Sequence, residues 1–88
     1  MKLTLPLGLA GSSAMHGTYD RAADAAYIYL VDEISPGGSE ASVEVEADEI
    51  CDIVLVDLDE HGRLLGLEVL SASLQLRPET LASLRQIG

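Results

Sequence analysis

The chain has 88 residues, 48% of them hydrophobic, and 15 acidic against 5 basic residues give it a net charge of −10. That length makes one small domain, and the single cysteine, Cys51, leaves no intrachain disulfide, which fits a reducing, cytoplasmic compartment. The acidity argues against direct binding to nucleic acid or to an anionic membrane surface, because both draw on Lys and Arg, and no stretch approaches the roughly 20 apolar residues of a membrane span.

The core has to be built without Phe or Trp, so Leu, Val, Ile and Ala must fill it, with Tyr19, Tyr27 and Tyr29 as the only large rings. Cys51 stands in an apolar run and reads as a small core residue rather than a reactive thiol. The acidity itself has a plain reading, solubility, and a sharper one, a basic protein partner steered in by opposite charge.

Residues 1–17 read as an N-terminal extension, flexible or swapped, ahead of a single domain over residues 18–88. The opening MKLTLPLGLAGSSAM resembles a secretory signal only faintly, since Thr4 and Pro6 interrupt its apolar stretch and only Lys2 charges its front. Two readings stand for this segment: an extension carrying alternating Leu3, Leu5 and Leu7, or residues upstream of an internal start at Met15.

From Thr18 the pattern sharpens. Thr18–Tyr19 is a short extended piece, DRAAD a turn too short for a helix, and Ala25–Val31 a strand rich in tyrosine and β-branched residues. ISPGGSEAS is a loop broken by Pro36, Gly37 and Gly38. SVEVE alternates, with Val43 and Val45 on one face and Glu44 and Glu46 on the other, which predicts a half-buried strand at a sheet edge. Two apolar runs, Ile53–Val56 and Leu64–Leu70, flank DLDEHG and predict a β-hairpin, Gly62 supplying φ > 0 at the corner. Arg77-Pro78-Glu79-Thr80 opens a helix of about ten residues, with Leu81, Leu84 and Ile87 as its stripe and Gly88 as its stop.

The hairpin strands look apolar on both faces. Ile53 and Leu55 point one way and Val54 and Val56 the other, while Leu65, Leu67 and Val69 oppose Leu64, Gly66, Glu68 and Leu70. One short helix covers only one face, so the second is expected to meet the N-terminal leucines, another copy of the chain or a partner.

Residues 57–68, DLDEHGRLLGLE, carry a competing motif. Asp57, Asp59, Gly62 and Glu68 fall where a calcium-binding EF-hand loop keeps its acids and its glycine, with Leu64 as the central apolar residue. The flanks predict strands rather than helices, His61 occupies a position that calls for oxygen, and Glu68 in an extended strand lies about 20 Å beyond Gly62 at roughly 3.3 Å per residue. The hairpin reading wins, and no metal or cofactor is expected. His16 falls in the extension and His61 in a turn, with no metal-ligand spacing to Cys51. A Cys51–His61 pair is formally available for nucleophilic catalysis, but acidic Asp52 sits beside the thiol and no basic neighbour lowers its pKa. No catalytic, cofactor-binding or metal-binding residues are assigned.

TYDRAADAAYIYL followed by IVLVDLDEHGRLLGLEVLSAS resembles the family named domain of unknown function 2283. The elements that carry the likeness are Tyr19-Asp20, Asp24 with Tyr27-Ile28, Asp57–Gly62 and Gly66–Ser73, over about residues 18–74. Leu67 and Val69 stand where the family usually has isoleucine, Ala26 where a bulkier residue is common, and the long leader is unusual. The resemblance implies no catalytic residues. It does imply a likeness in size and genomic habit to the antitoxin halves of toxin–antitoxin pairs, sometimes beside a small basic RNase-like protein.

The sequence therefore predicts an α+β domain, a small antiparallel meander of about four strands with a C-terminal helix packed on one face. Its expected function is a non-enzymatic protein-interaction module, a homodimer that neutralises a basic partner in the manner of an antitoxin. The alternatives are a small-ligand binder or minor enzyme with a site at a protomer interface, lined by Tyr27, Tyr29, Glu68 or His61, and a purely structural homo-oligomer.

Overall fold

A computed structural model describes residues 16–88. Five strands appear before the first helix: β1 (His16–Asp20), β2 (Ala25–Tyr29), β3 (Ala41–Val45), β4 (Val54–Leu58) and β5 (Leu64–Leu70). Two short helices follow, α1 (Ala72–Gln75) and α2 (Pro78–Ser83), and then a last strand, β6 (Arg85–Ile87). Because β1 begins at His16, two residues of the expected extension stand in the sheet; residues 1–15, and with them Leu3, Leu5 and Leu7, lie outside the described residues.

The strands form one six-stranded sheet in the order β3-β4-β5-β2-β1-β6. This is α+β as expected, but the sheet is larger than four strands and is not a meander: β2 pairs with β5, and β6 runs parallel to β1. The β4–β5 hairpin is the predicted one, with Gly62 at φ 76° in its turn. Asp59 shapes that turn, its Oδ1 accepting the backbone N–H of His61 at 2.8 Å and of Arg63 at 2.9 Å.

The expected ten-residue helix is shorter. It starts at Pro78 as predicted but stops at Ser83, because the next residues extend to pair Thr18 with Arg85, Tyr19 with Gln86 and Asp20 with Ile87. Ile87 thus belongs to an edge strand and not to a helical stripe. Among the described residues no helix is long and apolar enough to cross a membrane.

Register sorts the side chains onto two faces, since directly opposed residues share a face. One face carries Val43 and Val45 from β3, Val54 and Val56 from β4, Leu67 and Val69 from β5, and Ala26 and Ile28 from β2. The helices pack on this face at one end only. There Ala26, Val69 and Ala72 are buried, with Tyr19, Leu76, Leu81 and Leu84 around them. At the other end Val43 and Val45 remain 47% and 42% exposed. The half-buried β3 that its alternation predicts is therefore exposed throughout, because nothing among the described residues lies over it.

A hydrogen-bonded clamp ties the helical end to the sheet. Asp24 takes a left-handed φ of 50°, which short polar side chains tolerate, and its carboxylate accepts from the Tyr19 hydroxyl at 2.7 Å, the Ser73 N–H at 2.9 Å and the Ser73 hydroxyl at 2.7 Å. Its backbone carbonyl takes the Ala72 N–H at 2.9 Å. Ser71, also left-handed at φ 48°, donates its hydroxyl to Asp52. The Gln75 amide then closes on the Asp52 and Leu70 carbonyls at 3.1 and 2.9 Å. A helix of four residues has no stability of its own, so these contacts, from the β1–β2 turn, the bend before β4 and the end of β5, are what define α1.

Cys51 corrects its expectation. It is exposed, because it lies in the bend that precedes β4 rather than in the strand.

Candidate functional site

The opposite face of the sheet is polar and aromatic. One row across it reads Glu44, Leu55, Glu68, Tyr27, Thr18, Arg85, and the adjacent row reads Ser42, Asp57, Gly66, Tyr29, His16. The expectation that both faces are apolar holds for Leu55 and Leu70 and fails around them.

Tyr27 organises this face. Its ring lies diagonally across Gly66, and its hydroxyl donates to Asp57 Oδ2 at 2.6 Å. Gly66 makes that crossing possible: a Cβ there would stand 2.6 Å from Tyr27 Cε1 and 2.8 Å from the Ile28 carbonyl oxygen. Desolvation, then the bond to Asp57, pushes the Tyr27 hydroxyl pKa well above the ordinary tyrosine value, so it stays a neutral donor. Tyr29 stands beside it with ring centroids 4.8 Å apart and a tilt of 59°, and His16 stacks on Tyr29 at 4.7 Å.

These rings form one wall of a cleft of about 610 Å³. Thr18 and Arg85 line it from β1 and β6, and Asp32, Glu33, Ile34 and Ser39 close it from the β2–β3 loop. Its carboxylates outnumber its one arginine. The volume lies in the range of small-molecule or side-chain pockets.

The residues singled out from sequence are distributed unevenly here. Tyr27 and Tyr29 line the cleft, and Glu68 neighbours Tyr27 in the ladder without lining it. His61 does not line it: it sits exposed in the β4–β5 turn, 3.7 Å from Glu60. Cys51 and His61 lie at opposite ends of β4, separated by the length of that strand, roughly 17 Å at 3.3 Å per residue, so they form no catalytic pair. The calcium motif dissolves for a reason different from reach. The hairpin returns Glu68 to the row next to Asp57, but Asp57 is turned to the Tyr27 hydroxyl and Asp59 to two backbone N–H groups. Among the described residues no group of three or more His, Cys, Asp and Glu is placed to hold a metal ion.

Sequence reasoning missed His16, Thr18, Asp57 and Arg85 as partners of the tyrosines. The one local signal was Gly66 inside an apolar strand, which marks close approach of another group. The rest depends on how strands pair: Asp57 arrives through β4–β5 and β5–β2, His16 and Thr18 through β1–β2, and Arg85 through the distant β1–β6 contact.

Three carboxylates outside the cleft are held below the ordinary range. The Ser73 hydroxyl, then that of Tyr19, lowers Asp24; the Ser71 hydroxyl, then the Ile53 N–H, lowers Asp52; the Arg63 and His61 N–H groups lower Asp59. A carboxylate depressed in the fold contributes stability above its unfolded pKa and loses it as pH falls through the folded value. Protonation should therefore remove this contribution below about pH 4. Relief of repulsion among the acidic residues acts the other way, so the test is differential: the gap in urea midpoint between wild type and Asp52→Ala is expected to be open at neutral pH and nearly closed in strong acid.

Comparison with known proteins matches residues 17–73 to the model of a protein of unknown function, DUF2283. The matched span runs from β1 to Ser73, so it contains Asp24 with its partners Tyr19, Ala72 and Ser73 and the Tyr27–Gly66–Asp57 arrangement, while Gln75 lies just beyond it. No curated protein and no solved structure gives a match. With well over half its length matched, and with the sequence resemblance upheld, the chain belongs to the DUF2283 family of proteins of unknown function.

Proposed function

We propose that the chain is a non-enzymatic protein-interaction module that works as a homodimer, its subunits meeting through the uncovered apolar half of the sheet. The observation that carries this is the β3–β4 end of the helix-bearing face. Val43, Val45, Val54 and Val56 form an apolar surface there, while among the described residues only Ala26, Val69 and Ala72 are buried as apolar core. A core of two alanines and one valine is small for a chain with this hydrophobic content.

Charge favours a second copy as the occupant. The β3 and β4 residues on this face are Ala41, Val43, Val45, Val54, Val56 and Leu58, all uncharged, and Glu44 and Asp57 point to the other side. Two chains of net charge −10 can therefore meet here without opposing carboxylates, in a two-fold, self-complementary contact. A basic partner would be steered to the acidic face instead. Neutralising such a partner as an antitoxin does, in a cytoplasmic setting, is the finer form of this reading, and its support is the acidity together with the lone cysteine. A second reading, a small-ligand binder, is favoured by the tyrosine-lined cleft.

Size-exclusion chromatography with light scattering tests the dimer. Wild type is expected at twice the chain mass, and Val43→Asp/Val45→Asp at the monomer mass with its far-ultraviolet circular dichroism retained, since both positions are already exposed in the single chain. A monomeric wild type would overturn the reading. Recovery from the native host with no basic partner at low salt would remove its neutralising form.

A further inference from the structure

We infer that the cleft on the polar face takes the guanidinium group of an arginine side chain presented by a basic protein partner. This rests on the reading that the acidic face is open to such a partner and says where and how that partner is recognised.

Three features converge on a planar organic cation. The first is shape: the cleft of about 610 Å³ is concave and has a fixed wall, because Tyr27 is held on one side by Gly66 and at its tip by Asp57. The second is the wall itself. Tyr27 and Tyr29 are tilted at 59° with centroids 4.8 Å apart, and tyrosine rings attract cations, guanidinium most often, through the negative potential of their faces. The third is charge. Asp57 from the sheet and Asp32 and Glu33 from the loop line the cleft against Arg85 alone, so an anion would be repelled and a cation drawn in. Asp57 Oδ2 is taken by the Tyr27 hydroxyl, which leaves Oδ1 to accept from the ligand. A guanidinium suits this better than an ammonium because it stacks on a ring while its edge donates to a carboxylate. Arg85 opposes it by charge, and His16, stacked on Tyr29 at 4.7 Å, already covers one face of that ring, so Tyr27 and the Tyr29 edge are left to the ligand.

The test is a nuclear magnetic resonance titration of the full chain with N-acetyl-argininamide, read at the Tyr27 and Tyr29 ring protons, beside uncharged N-acetyl-citrullinamide and tetramethylammonium. The argininamide is expected to give saturable shifts at both rings, and the citrulline analogue is not. Asp57→Asn should weaken the binding by on the order of threefold to tenfold, while Arg85→Gln should tighten it, a gain that a merely structural role for either residue would not produce. Equal shifts with the citrulline analogue, shifts with tetramethylammonium but not argininamide, or no saturable shift with argininamide would each overturn the assignment. Backbone amide spectra of the two variants that match wild type away from the cleft keep the comparison on binding rather than folding. Because the probe is a free small molecule, this result stands or falls separately from the mass measurement that tests the dimer.

Discussion

Gly66→Ala is expected to be among the most destabilising single substitutions in the chain. Gly66 is buried, and its φ is not in the left-handed region, so space alone forbids a side chain. The new methyl would lie 2.6 and 2.7 Å from Tyr27 Cε1 and the Tyr27 hydroxyl oxygen, and 2.8 Å from the Ile28 carbonyl oxygen. Tyr27 can swing away, but doing so gives up its 2.6 Å bond to Asp57, and the Ile28 backbone in the paired strand cannot move alone. Overpacking costs about 1–3 kcal/mol, and the lost hydrogen bond adds about 1 kcal/mol. Thermal unfolding followed by circular dichroism should show a fall of roughly 8–30 °C, at about 4–8 °C per kcal/mol for a domain of this size. In a Tyr27→Ala background the cost should shrink without vanishing, because the clash with the ring is gone and that with Ile28 remains. An unchanged cost in that background would mean that Tyr27 does not lie over Gly66.

The second large effect is expected at Asp24, where the ordering of three substitutions is diagnostic. Asp24→Ala removes the acceptor for Tyr19 and for both Ser73 donors, and also puts an alanine at φ 50°. Asp24→Gly loses the same bonds but relieves the backbone. Asp24→Asn keeps a side chain that tolerates the left-handed region. Its Oδ1 can still accept from Tyr19 and the Ser73 N–H, and its amide can donate to the Ser73 hydroxyl in place of the reversed bond. Loss of stability should therefore rank Ala, then Gly, then Asn, with Asn closest to wild type. The loss in Asp24→Ala should appear as early hydrogen exchange through residues 71–76, since α1 exists only through this clamp. A ranking with Asn as damaging as Ala would show that the full negative charge, rather than the bonding pattern, is what matters.

What the sequence made legible follows from which signals are local. The β4–β5 hairpin announces itself through two apolar runs around Asp59 and Gly62, and β3 through the alternation of Val43 and Val45 with Glu44. Tyr27 and Tyr29, two apart on a strand, had to share a face. By contrast β6 was hidden, because Leu81, Leu84 and Ile87 also fit a helical stripe. What draws residues 85–87 out of that stripe is the open edge of β1, 67 residues earlier in the chain. Helix α1 was hidden for a related reason: Ala72–Gln75 is too short to show a helical period, and its geometry is set by contacts with Asp24 and Asp52. The burial of β3 was misjudged because alternation reports which residues share a face and not whether anything lies over it. The candidate site divides along the same line. Its tyrosines were readable, whereas His16, Thr18 and Arg85 reach it only through the pairings of β1, and Asp57 only through those of β4 with β5 and of β5 with β2.

The central claim is that the apolar β3–β4 surface is covered by a second copy of the chain. It is tested most directly by an isotope-filtered nuclear Overhauser experiment on a mixture of labelled and unlabelled protein. Intermolecular contacts are predicted from the methyl groups of Val43, Val45, Val54 and Val56 to the same surface of the partner. A dimer whose intermolecular contacts arise instead from the Tyr27–Tyr29 face, or a sample with no intermolecular contacts at these valines, would contradict it.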